Sequence, residues 1–256
     1  IPPQIVTKGG ITLENFKHMW ELVQNEADYP HLSTVTGYMN DTSGLTPGIV
    51  DSIYLRLKQR NRCIHRDFQN IGVNGASSFS VLDIMHSFRR NQTHDEPVLM
   101  FVSLIGNDVC GSTARYTTVE QFYANIIQVL NHLDTVLPPQ SFVVFVGLAQ
   151  GDLLYEYLKD RSHPIGTTYP DLYNFMNCLE TSPCFGWMNT NSTVRDITSK
   201  RAEELSKVYD RVIAETRGRY KNFGMAYHKF PLVEMAQEYI ESGGDPADLI
   251  EPFDGF

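Results

Sequence analysis

PVLMFVSLI at residues 97–105 and SFVVFVGLA at 141–149 decide the fold. Each is a nearly continuous apolar run bounded by polar or turn-forming residues. Runs of this kind suit strands of a parallel sheet covered by helices, whereas a half-solvated strand would alternate. Thr117 and Glu120, between them, read as a capping box, and Phe122, Ile126, Val129, Leu130 and Leu133 carry a helical stripe to Pro138 and Pro139. Strand, helix, strand is therefore the central unit. Downstream, helices are expected near 151–159, 169–179 and 198–218, the last turned inward by Leu205, Val208, Val212 and Ile213. SPCFGWMNTNST lies between them as an irregular segment. FGMAYHKF (223–230) reads as a weaker strand and PLVEMAQEYI as a closing helix. Upstream, DFQNIGV (67–73) is a short β-like piece running into NGASS, and Val81, Ile84, Met85 and Phe88 mark a helix. VDSIYLRLKQRNR is a further helical segment. Leu13, Phe16, Met19, Trp20 and Val23 form an amphipathic helix opened by Thr12. The alternation predicts an α/β class with a mostly parallel, doubly wound sheet, in one domain over residues 1–256.

The chain has 256 residues and a net charge of -9, a balance that argues against general nucleic-acid binding. No apolar run approaches the roughly 20 residues needed to span a bilayer. IPPQIVTKGG carries neither an initiator Met nor a signal pattern, so the chain is read as starting after a cleavage or a cut. Cys63, Cys110, Cys178 and Cys184 permit three disulfide connectivities. No Cys-x-x-Cys pair favours a metal site instead. With the sequons at Asn40, Asn91 and Asn191, the cysteines point to an oxidising compartment.

Functional groups of a doubly wound sheet gather beyond the carboxyl ends of its strands. Three places qualify: Asn74-Gly75-Ala76, Gly106-Asn107-Asp108 and Asp254-Gly255. An amide at Asn107 and a backbone N–H at Gly75 suit the stabilisation of a developing oxyanion. Taken singly, Asn-Gly and Gly-Asn pairs are also plain turn signals. Ser77 and Ser78 read as caps for the next helix. Arg56, Lys58, Arg60, Arg62, His65 and Arg66 form a basic run suited to phosphate contact, or equally to a solvated helix face. The Leu, Phe and Tyr residues of 13–38 suit an acyl pocket or, by their spacing, the core.

NGASS, IGNDVC and DGF follow the order of the blocks of SGNH (GDSL-like) hydrolases. SIYLRLKQRN, HRDFQNIGVNGASS, IGNDVC, HPIG, NCLETSPCFGWM, RAEELS and LIEPFDGF resemble the large subunit of acyloxyacyl hydrolase. That family is a lipase that removes secondary fatty acyl chains from bacterial lipopolysaccharide. The resemblance implies a three-layer α/β/α fold and a Ser-His-Asp mechanism. It assigns the oxyanion hole to Gly75 and Asn107, and the orienting acid to Asp254. It implies a Cys178–Cys184 clip and a Cys63–Cys110 link, with Arg62 and Arg66 near a phosphorylated head group. The family's serine precedes a segment like IPPQ, and its histidine follows DGF. The chain is therefore expected to be incomplete at both ends, to lack the first central strand, and to be inactive and unstable alone. Calcium would belong to the upstream part, with no cofactor or metal ligand here. The expected partners are the lipid, the flanking segments and a disulfide-linked saposin-like small subunit, in a secreted or lumenal setting. An esterase acting on phospholipid or glycan acetyl esters, a non-catalytic lipid-binding or structural subunit, and a flavodoxin-like binding domain are the rival readings.

Overall fold

The computed structural model describes residues 30–40, 49–73, 75–112, 115–148, 151–163 and 165–250. The expected helix opened by Thr12, and Asp254, lie outside these residues. The chain divides into two compact units, Ile1–Gly75 and Ala76–Phe256.

In the first unit, helix α1 spans Ile53–Arg60. Ser52 opens it by accepting the Leu55 N–H at 3.1 Å, and its own hydroxyl donates to the Gly37 carbonyl at 2.6 Å. One buried serine thus caps the helix and ties it to the preceding loop. The Tyr54 and Phe68 rings pack 4.6 Å apart, and the Tyr54 hydroxyl accepts the Arg66 N–H at 2.9 Å. Residues 67–73, expected as a strand, are irregular. A strand is held by a ladder partner, and among the described residues this segment has none.

The second unit carries the sheet. Strands β1 (Leu99–Val102), β2 (Ser141–Val146) and β3 (Phe223–His228) are parallel in the order β1-β2-β3. Leu99 lies opposite Phe142, and Val143 opposite Met225. This is the α/β class expected from the two apolar runs. Met100, Val102, Val143, Phe145 and Phe223 are buried, while Leu99 and Phe142 are 45% and 41% exposed. The buried side faces helices α4 (Val119–Val136) and α7 (Ser192–Glu215). There Tyr209 of α7 stacks on Phe145 with ring centroids 4.5 Å apart and meets Phe122 of α4 edge-on at 5.4 Å. Truncating a buried aromatic such as Phe145 to Ala costs about 3–5 kcal/mol through lost transfer energy and a cavity.

Four shorter helices pack in the same unit: α2 (Val81–Met85), α3 (Ile105–Val109), α5 (Asp152–Leu158) and α6 (Tyr169–Cys178). A last helix, α8, covers Leu232–Glu241. Three local expectations shift. The capping box of α4 is Thr118 with Gln121, one residue beyond the expected Thr117 and Glu120. The first apolar run ends as a strand at Val102, and Ile105 already belongs to α3. Helix α7 starts at Ser192 rather than near 198, because Asn191 caps it through the Thr193 N–H at 3.0 Å. The irregular segment before α7 is densely packed: Cys184, Trp187 and Met188 are almost fully buried. The Trp187 indole donates to Ser199 at 2.9 Å, so the segment's burial costs no orphaned N–H there.

Candidate active site

Because the strands are parallel, the carboxyl ends of β1, β2 and β3 share one edge. The residues after β1 form the short helix α3. Its inward residues are Ile105, Asp108 and Val109, at one-, four- and five-residue helical positions, all at most 2% exposed. Gly106 and Asn107 fall on the opposite side, and Asn107 is exposed. The Asn107 side-chain amide donates to the Ala76 carbonyl at 2.9 Å. An amide NH2 has two donors, so this bond fixes the amide plane and leaves one N–H to point elsewhere.

Gly75 closes the first unit with φ +73°, in the left-handed region. A Cβ added there would meet nothing within 4 Å, so the demand for glycine is conformational, not steric. Asp254 lies outside the described residues. His86 caps the end of α2, His132 lies in α4 and His228 ends β3.

Asp108 is the feature the sequence reading left without a role. Its Oδ1 accepts the hydroxyls of Ser78 and Thr117, each at 2.6 Å, and its Oδ2 accepts the Ser78 N–H at 2.9 Å. Burial pushes its carboxyl above the ordinary value of 3.8, against the pull of these donors. Ser78 is therefore no helix cap: its hydroxyl is committed to Asp108. Burial above all, with the Asp108 charge adding to it, holds the Tyr209 phenol protonated. Among the described residues no group of three His, Cys, Asp or Glu side chains is placed to hold a metal ion, and no calcium ligand is assigned to them.

The cysteines correct an expectation. Cys110, just past α3, is bonded to Cys184, with Cα atoms 4.2 Å apart. Cys63 and Cys178 are free and exposed. The implied Cys178–Cys184 clip and Cys63–Cys110 link are both overturned. Cys178 is the last residue of α6 and points to solvent, whereas Cys184 is fully buried in the packed segment beside Cys110.

Asn40, Asn91 and Asn191 are exposed. In the basic run, Arg56 is paired with Asp51 at 2.5 Å, while Arg62 and Arg66 are exposed and form no ion pair among the described residues. Arg66 also has a positive φ of 64°.

The chain aligns over its whole length with three curated proteins named acyloxyacyl hydrolase. It is 42% identical to the human protein, 41% to the rabbit protein and 40% to the mouse protein. The whole chain is therefore similar to proteins of the acyloxyacyl hydrolase family. It spans 45% of the length of each of these relatives. No protein-family profile matches it. For an acyloxyacyl hydrolase relative, the α3 turn is the described part of the chain on which the residues of the IGNDVC block can be judged. Asn107 points outward with its amide anchored. Asp108 points inward as a satisfied buried acid. Cys110 fastens the end of the turn. Among the described residues no helix is long and apolar enough to cross a membrane.

Proposed function

We propose that the full protein is a serine ester hydrolase that releases secondary fatty acyl chains from a lipopolysaccharide-like lipid. The observation that carries this reading is the alignment of the entire chain with acyloxyacyl hydrolases at 40–42% identity. The anchored Asn107 amide on the carboxyl edge of the sheet supports it. In this reading a serine supplied outside residues 1–256 attacks the acyl carbonyl and its proton passes to a histidine, also outside. Asp254 holds the imidazole. The C–O bond to the lipid breaks as the histidine returns the proton to the leaving alkoxide, and water then hydrolyses the acyl-serine by the same route. Asn107, through its second N–H, and Gly75, through its backbone N–H, stabilise the oxyanion. Exposed Arg62 and Arg66 contact head-group phosphates. On this reading residues 1–256 alone are inactive, because the resemblance puts the serine and the histidine outside them.

The Cys110–Cys184 bond and the three exposed sequons favour a secreted or lumenal protein. A disulfide-linked small subunit of saposin type is the partner this reading implies. The test is an assay of the full-length protein on lipopolysaccharide, alongside phospholipid and short-chain esters. Acyl release from lipopolysaccharide is expected to dominate. Asn107→Ala is expected to lower kcat by about 10²–10³-fold. A full-length protein that deacylates none of these substrates sinks the reading.

A further inference from the structure

Asp108 lies one residue from the proposed oxyanion donor and has no part in the chemistry above. It is 2% exposed, and no Lys, Arg or His forms an ion pair with it among the described residues. Burying a carboxylate without a counter-charge is unfavourable unless hydrogen bonds replace its water. Three donors do so here: the Ser78 N–H, the Ser78 hydroxyl and the Thr117 hydroxyl. Asn125 donates in turn to the Ser78 hydroxyl oxygen at 2.9 Å, and the Asp108 carbonyl accepts the Thr117 N–H at 3.0 Å. The acid therefore binds α3 both to residue 78 and to the entry of α4.

Neighbouring residues of a helix diverge by about 100° around its axis. Asp108 and Asn107 thus leave α3 in different directions, one inward and one outward. Yet both reach the same short segment, Asp108 at Ser78 and Asn107 at Ala76. The single bond to Ala76 fixes the Asn107 amide plane only as well as Ala76 itself is fixed. The Ser78 clamp fixes it. A helix of five residues with no side-chain N-cap bond has little rigidity of its own.

We infer that Asp108 is a positioning residue for Asn107, holding α3 and residues 76–78 in one register so that the free amide N–H of Asn107 meets the oxyanion. The inference rests on the oxyanion role of Asn107 proposed above. A carboxylate suits the task because it accepts an N–H and two hydroxyls at once. An asparagine at 108 would turn an N–H toward one of those donors.

The experiment uses the full-length protein with lipopolysaccharide as substrate, and compares Asn107→Ala, Asp108→Asn and the double variant in kcat, KM and melting temperature. Asp108→Asn is expected to lower kcat by about 10–100-fold with KM changed less than about twofold, the pattern of a lost transition-state interaction. The double variant is expected to be no more than about threefold slower than Asn107→Ala, because residues acting through one donor are not additive. Losses that multiply in the double variant, or an Asp108→Asn protein that only melts lower with kcat intact, overturn the inference. Where Asp108→Asn does not fold, Ser78→Ala and Thr117→Ala each remove one donor. Each is expected to lower kcat about 3–10-fold, and to add no further loss to Asn107→Ala. Multiplying losses there overturn the inference as well. An Asn107→Ala protein with full kcat overturns the oxyanion reading itself; a slow Asn107→Ala with multiplying losses overturns only the role of Asp108.

Discussion

Asn107 and Asp108 are adjacent in sequence and opposite in environment, and only one of the two was legible before the structure. An asparagine beside glycine after a buried strand can be read from residue types and order. That its neighbour is buried depends on the rotation of a five-residue helix, which no periodic pattern of that length can announce. The buried acid also sets a pH dependence. Its folded-state pKa is raised above 3.8 chiefly by burial, so its contribution to folding is fully present below that value and declines as pH rises through the folded value. In urea titrations of the full-length protein, the wild type should therefore exceed Asp108→Asn in stability most at the acid end of the range. The gap should narrow toward neutrality. A gap independent of pH would remove burial as the cause.

Among the elements, both decisive apolar runs became strands, because a run apolar at every position suits burial in a parallel sheet. Their ends were less legible. Ile105 is apolar enough for a strand but turns into α3, where it is 1% exposed. DFQNIGV has strand-like residues yet is irregular, since pairing is a property of two segments and sequence shows one. Threonines 117 and 118 illustrate the same limit at a helix start. Thr118 and Gln121 close the reciprocal box, while Thr117 serves Asp108. Thr118→Ala is expected to lower unfolding free energy by about 1 kcal/mol, measured by urea denaturation. Glu120→Ala, which loses only an exposed pair with Arg211 at 3.0 Å, is expected to lower it by under about 0.5 kcal/mol. Equal losses would contradict the one-residue shift.

For the molecule as a whole, composition and order identified the class, but not how distant segments meet. The nearest two cysteines in sequence looked like natural partners. Burial decided otherwise, and Cys184 joins Cys110 across 74 residues that include β2. A cross-link closing a loop of that length is expected to contribute about 4 kcal/mol by restricting the unfolded chain. Cys110→Ser should lose about that much in denaturant titrations, and Cys63→Ser or Cys178→Ser less than about 0.5 kcal/mol, as for exposed positions without partners. Comparable losses for all three would mean a different pairing. The long span also has a consequence in time. On the ribosome Cys63 and Cys110 emerge first, and at roughly 5–20 residues per second Cys184 follows several seconds later, just after Cys178. The nascent chain thus meets a wrong partner before the right one exists. In an oxidising compartment, a premature Cys63–Cys110 pairing would have to be undone by thiol–disulfide exchange, so maturation there would depend on isomerase activity as well as on folding.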